Sequence, residues 1–89
     1  MKVLFFATLR KLTGCKETEV HGAPDLATLL GQLGERYGFR FAREVFPGGE
    51  LSRDVIVMVN GRAVEHLGGL QAALDEDDTV AIFPRIAGG

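Results

Sequence analysis

Between Pro24 and Gly38 the residues Leu26, Leu29, Leu30, Leu33 and Tyr37 fall at i, i+3, i+4, i+7 and i+11, a single apolar stripe at helical period. Asp25 stands where an N-cap belongs, its carboxylate able to accept a hydrogen bond from a free amide of the first turn. Gly38 is a natural stop, supplying a left-handed backbone past the last turn. Three turns are too few for a coiled-coil seam, so the stripe must be buried against the rest of the same chain. Gly31 and Gly34 inside the helix each cost about 1 kcal/mol against alanine, a cost that close approach of helix to sheet would explain. The stripe therefore demands a sheet.

The flanking segments supply one. Val3 to Leu9 is short and rich in strand formers, with Val3, Phe5, Ala7 and Leu9 on one side and Leu4 and Phe6 on the other. A turn around Thr13-Gly14-Cys15-Lys16 exposes the cysteine and leads into Glu17–His21, which can pair back as an antiparallel strand. Phe39 to Arg53 is the least regular stretch, with a loop at Phe46-Pro47-Gly48-Gly49-Glu50. Val55–Val59 is a buried strand, and Asn60-Gly61 after it predicts a type I′ hairpin into Arg62-Ala63-Val64. Gly69–Leu74 is a short helical or turn segment, Asp75–Asp78 a solvated turn, and Thr79–Phe83 the last strand, closed by Pro84. The order β-β-α-β-β-β around one helix predicts an α+β domain, a mixed sheet with its first and last strands side by side in the middle.

Composition narrows the function. Eighty-nine residues make one domain, residues 1–89, with little room for a buried catalytic cavity. Ten basic and twelve acidic residues give a net charge of −2, without the basic excess of a nucleic-acid protein. Cys15 is the single cysteine, so neither an intrachain disulfide nor a multi-cysteine metal site can form. No apolar run reaches the length of a membrane span, and Met1-Lys2 opens a strand rather than a signal peptide; a cytoplasmic location is expected. His21 and His66 lie in no nucleophile–base spacing, and no phosphate-loop or zinc-protease pattern occurs.

What is left is the end of the chain, Phe83-Pro84-Arg85-Ile86-Ala87-Gly88-Gly89. Pro84 has no N–H with which to extend a ladder, which predicts that residues 84–89 leave the sheet as a flexible tail. With glycine at about 7% of residues, a terminal Gly-Gly arises by chance in about 0.5% of chains. Glycines let an extended tail thread a narrow enzyme channel, because no Cβ meets the walls. A carboxylate is a poor electrophile, so acyl chemistry at Gly89 needs activation, typically by ATP to an acyl-adenylate.

The ending from Asp77 to Gly89, the opening from Met1 to Gly14 and the central Val59-Asn60-Gly61 resemble the MoaD family, the small subunit of molybdopterin synthase. Arg85 stands where that family often carries a second proline. The resemblance implies a β-grasp, ubiquitin-like fold and a carrier rather than an enzyme, with no cofactor of its own. It implies that a MoeB-like adenylating enzyme uses ATP to activate Gly89. A sulfur donor such as a cysteine desulfurase system would then convert it to a thiocarboxylate. The large synthase subunit would supply the catalytic groups that pass the sulfur to cyclic pyranopterin monophosphate. Carriers for thiamine synthesis or tRNA thiolation and ubiquitin-like modifiers share the same fold and tail, and a β-grasp binding module is the rival from another class. An iron–sulfur β-grasp protein is excluded by the single cysteine.

The strand alternation adds a docking surface. If Val3, Phe5, Val80 and Ile82 face the helix, then Leu4, Phe6, Ala81 and Phe83 face outward as a contiguous apolar patch for a partner protein. Neither nucleic acid nor membrane is an expected partner.

Overall fold

The computed structural model describes residues 1–85. Strand β1 (Lys2–Phe5) pairs antiparallel with β2 (Glu17–Glu19) and parallel with β5 (Thr79–Pro84). Strand β3 (Val55–Val59) pairs antiparallel with β5 and with β4 (Arg62–Ala63), giving the order β2-β1-β5-β3-β4. The long helix α2 (Leu26–Tyr37) lies across one side, and the arrangement is the β-grasp fold that the sequence implied. β1 and β5 are adjacent, with Val3 beside Val80 and Phe5 beside Ile82.

The leucine stripe closes the core as its period demanded. Leu26, Leu29, Leu30 and Leu33 are buried against Val3, Phe5, Val57, Val80 and Ile82. Asp25 caps α2, its Oδ1 accepting from the Thr28 N–H at 2.8 Å. That bond is the main reason its carboxyl is held below the ordinary aspartate value. Asn60 and Gly61 both take positive φ, 51° and 83°, as a type I′ turn requires, and Val59 faces Arg62 across it. Asn60 also works at long range. Its side chain donates to Asp78 Oδ1 and accepts from the Thr79 N–H, tying the hairpin to the start of β5.

Several expectations are corrected. The first strand stops at Phe5 rather than Leu9: Ala7 takes φ 52°, and the chain turns into a short helix α1 (Leu9–Thr13). Leu9 is still buried, but from a helix. Cys15 is half-buried rather than exposed, with Sγ 3.4 Å from the Tyr37 hydroxyl. The irregular stretch after Gly38 holds a helix, α3 (Phe39–Val45), which buries Phe41 and Val45. Gly38 has φ 93° but an extended ψ of −174°, so it turns α2 directly into α3 instead of closing a left-handed cap. Neither helix glycine brings α2 onto the sheet. Gly31 has open space where a Cβ would stand, and at Gly34 a Cβ would lie 2.9 Å from the Phe46 ring.

Pro84 does not leave the sheet; it is the last residue of β5, opposite Val55. Alternation explains why a proline is tolerated there. The Ile82 carbonyl accepts from Phe6 N–H on the β1 side, so Pro84, two residues on, also turns its nitrogen toward β1. By then β1 has ended and turned away at Ala7, and no partner waits for the missing N–H. Arg85 is bonded to the turn before β3, so any departure of the tail begins after it. Gly89, the residue expected to carry the acyl chemistry, and the tail residues Ile86, Ala87 and Gly88 lie outside the described residues.

Candidate functional site: an apolar sheet face at the root of the tail

Helices α2 and α3 pack on one side of the sheet; the other side carries the candidate site. In β1 and β5 alternate residues are fully buried, and those between them turn outward. Leu4 lies beside Ala81, and Ala81 is opposite Met58, so one apolar row crosses β1, β5 and β3. Phe83 is opposite Ile56 in a second row. Phe6, one residue beyond β1, is exposed, and its ring meets that of Phe83 edge to face, with centroids 5.8 Å apart.

Phe6, Ala7, Ala81, Phe83 and Pro84 line an open groove of about 390 Å³. All five lining residues are apolar. Arg10 forms the rim: Nε donates to the Phe5 carbonyl at 2.8 Å, and the guanidinium sits 5.3 Å from the centre of the Phe6 ring. The positive φ at Ala7 makes this geometry, because it turns the chain so that α1 projects Arg10 back over Phe6. Pro84, also in the lining, leads to Arg85.

The sheet thus brings Phe6, Ala81 and Phe83 into one groove with Pro84. Leu4 shares the face without lining the groove. Sequence reasoning missed Ile56 and Met58, both half-buried on the same face. The signal was present: all five residues of Val55–Val59 are apolar, so a strand with one face on the core must present apolar side chains on the other.

The histidines take no part. His21 Nδ1 is 3.0 Å from Glu76 Oε1 at an exposed position, and this bond, with the Gly22 N–H, holds the Glu76 carboxyl below the ordinary glutamate value. In the acidic turn Asp78 bonds the Asp75 N–H and the Asn60 amide, which lower its pKa in that order. Among the described residues no group of three metal-ligating side chains converges, and no helix is long and apolar enough to cross a membrane.

Comparison with known proteins agrees with this architecture. The ThiS family model matches residues 3–89. Small archaeal modifier protein 3 of Haloferax volcanii is 36% identical over 91 residues, spanning 100% of this chain and 98% of that protein. Among solved structures, the Amycolatopsis orientalis BexX/CysO complex contains a chain that superposes with a TM-score of 0.85 at 32% identity, covering 99% of this chain and 98% of that one. The putative molybdopterin converting factor, subunit 1, of Pyrococcus furiosus gives 0.72 at 29%, covering 96% and 95%.

Proposed function

The chain belongs to the ThiS family of small ubiquitin-like sulfur carriers, and from that premise we propose that it carries sulfur as a thiocarboxylate on Gly89 for molybdopterin synthase. The observation that carries the reading is the apolar groove of Phe6, Ala81, Phe83 and Pro84, set directly where β5 hands over to the diglycine tail. A partner seated on that face lies beside Pro84, five residues before Gly89 in the sequence.

The chemistry then runs in two steps. A Gly89 carboxylate oxygen attacks the α-phosphorus of ATP held by a MoeB-like adenylating enzyme, and pyrophosphate leaves. Hydrosulfide from the donor system attacks the acyl carbon, the C–S bond forms, and AMP departs with the electrons of the broken C–O bond, leaving the thiocarboxylate after loss of a proton. In the large synthase subunit the thiocarboxylate sulfur bonds to a carbon of cyclic pyranopterin monophosphate as an oxygen leaving group departs, and water then attacks the acyl carbon, breaking its C–S bond and returning the Gly89 carboxylate. The resemblance of the chain's opening and ending to that synthase's small subunit supports this recipient, as does its likeness to the Pyrococcus furiosus structure. A second reading, attachment of Gly89 to amines of other proteins, is favoured by the end-to-end similarity to a small archaeal modifier protein.

Incubation of the whole chain with its adenylating enzyme, ATP and a sulfur donor tests the carrier chemistry. The expected product has one oxygen replaced by sulfur, located on the C-terminal peptide by tandem mass spectrometry. Sulfur recovered on Cys15 instead overturns the mechanism. Adding the large synthase subunit and the pterin precursor separates the two readings: sulfur leaves Gly89 for the pterin in the first, and the acyl carbon forms an amide in the second.

The docking face makes its own prediction. Phe83 is half-buried and stacked edge-on against Phe6, so Phe83→Ala should cost the free domain only about 1 kcal/mol. At an interface hot spot the same truncation costs about 2 kcal/mol or more, roughly a thirtyfold loss of affinity. Titration calorimetry against the large subunit, paired with a denaturant melt, reads both. Unchanged binding would remove Phe83 from the interface.

A further inference from the structure

The last described residue is held by two hydrogen bonds that the fold itself does not require. The Arg85 N–H donates to the Asp54 carbonyl at 2.7 Å, one step beyond the Val55–Pro84 pair that ends β5. Its side-chain Nε donates to the Arg53 carbonyl at 2.9 Å. The acceptor turn is tied down in its own right: Asp54 N–H donates to Ser52 Oγ, and Ser52 N–H to the carbonyl of Val45 at the end of α3. Arg85 is exposed and buries little, so these bonds do not serve the core. They fix where the chain stands four residues before Gly89.

We infer that Arg85 is a positioning residue, a side-chain latch that fixes the root of the tail relative to the docking face. The inference rests on the carrier reading of Gly89. Pro84 is the last residue of β5 and β1 has already turned away beside it, so the bonds of Arg85 to the turn before β3 are the last that hold this end of the strand among the described residues. Past Arg85, four residues span at most about 14 Å, so the latch sets the centre of the volume that the Gly89 carboxylate can reach. Releasing the side chain leaves residue 85 on its single main-chain bond to Asp54, free to take orientations that a partner's active site must then restrict. That dilutes the productive placement by about tenfold.

Two substitutions isolate the latch. Glutamine carries its amide nitrogen the same number of bonds from Cα as the Nε of arginine, so Arg85→Gln keeps a donor for the Arg53 carbonyl and removes the charge. Arg85→Met has a similar reach and offers no donor. ATP–pyrophosphate exchange with the adenylating enzyme is measured on the whole chain of each variant, alongside thermal melts. The expected result is that Arg85→Met lowers kcat about tenfold with KM for the carrier and Tm unchanged, while Arg85→Gln stays within about twofold of the natural chain. Equal losses in both variants, or a loss confined to KM, would mean that the guanidinium charge binds the partner, and would overturn the latch. So would an unchanged Arg85→Met. No exchange with the natural chain is a distinct outcome, which defeats the carrier reading itself.

Discussion

Deletion of Gly89 is expected to reduce acyl-adenylate formation by at least about a hundredfold while leaving the melting temperature where it was. The new terminus, Gly88, is again a glycine carboxylate, so the reacting group is chemically unchanged and only its position differs. Removing one residue draws that carboxylate back by about 3.5 Å. Misplacement of a reacting group by even about 1 Å can cost a hundredfold in rate, so the loss reports on reach alone. Among the described residues the buried core ends at Ile82 and the last bonds are those of Arg85, so the fold is expected not to depend on Gly89. Stability should stay within about 0.5 kcal/mol of the parent, as for surface changes generally. Pyrophosphate exchange and a thermal melt on the same preparation make the test. An undiminished rate would show that the chemistry does not depend on the carboxylate at this position. A melting temperature lower by many degrees would make the tail a structural element.

Phe5→Ala should destabilise the domain by about 3–5 kcal/mol, a large share of the roughly 5–15 kcal/mol that holds a small domain together. Phe5 is fully buried, and its ring packs edge-on against Tyr37, with centroids 5.6 Å apart, and against Phe41 at 5.9 Å. One side chain thus joins β1 to both α2 and α3. Its neighbour is the control. Phe6 points to the opposite face and is exposed, so Phe6→Ala should cost about 1 kcal/mol or less. Urea unfolding of the two variants should give midpoints far apart with similar slopes. Comparable losses for both would mean that the two faces of β1 are not divided as described.

The contrast between these adjacent phenylalanines was legible in the sequence because strand alternation has a period of two and both faces of β1 are apolar. The same logic located Ala81 and Phe83, and the leucine stripe located α2. Where the sequence misled, a local backbone choice decided the structure. Nothing in Phe6-Ala7-Thr8-Leu9 announces that Ala7 adopts a positive φ, a conformation few residues other than glycine take without tertiary support. Helix α3 was hidden by its length, since seven residues between Gly38 and Phe46-Pro47 show only Phe41 and Val45 at helical spacing. Pro84 was read by its missing donor alone. Which neighbouring strand that donor would have faced is a property of the register, and the register was visible only once β1 and β5 were paired. The latch at Arg85 was beyond reach for a related reason: its acceptors are main-chain carbonyls, which carry no signature in side-chain pattern.

The central place of β5 also bears on how the chain is made. Residues 79–84 follow the other four strands in the sequence and so leave the ribosome after them, yet they form the strand to which both β1 and β3 pair. Until they emerge, the nascent chain holds two separate two-stranded ribbons, β1–β2 and β3–β4, each too small to persist in water. Folding therefore waits on pairings between the two ends of the chain, which is slow closure of a long loop. A polypeptide terminated early, by stalling or by a nonsense codon before β5, lacks both the middle of its sheet and the diglycine. It would stay unfolded, open to proteases, and unable to display the apolar face to a partner. Synthesis of β5 and closure of the sheet are thereby made one event.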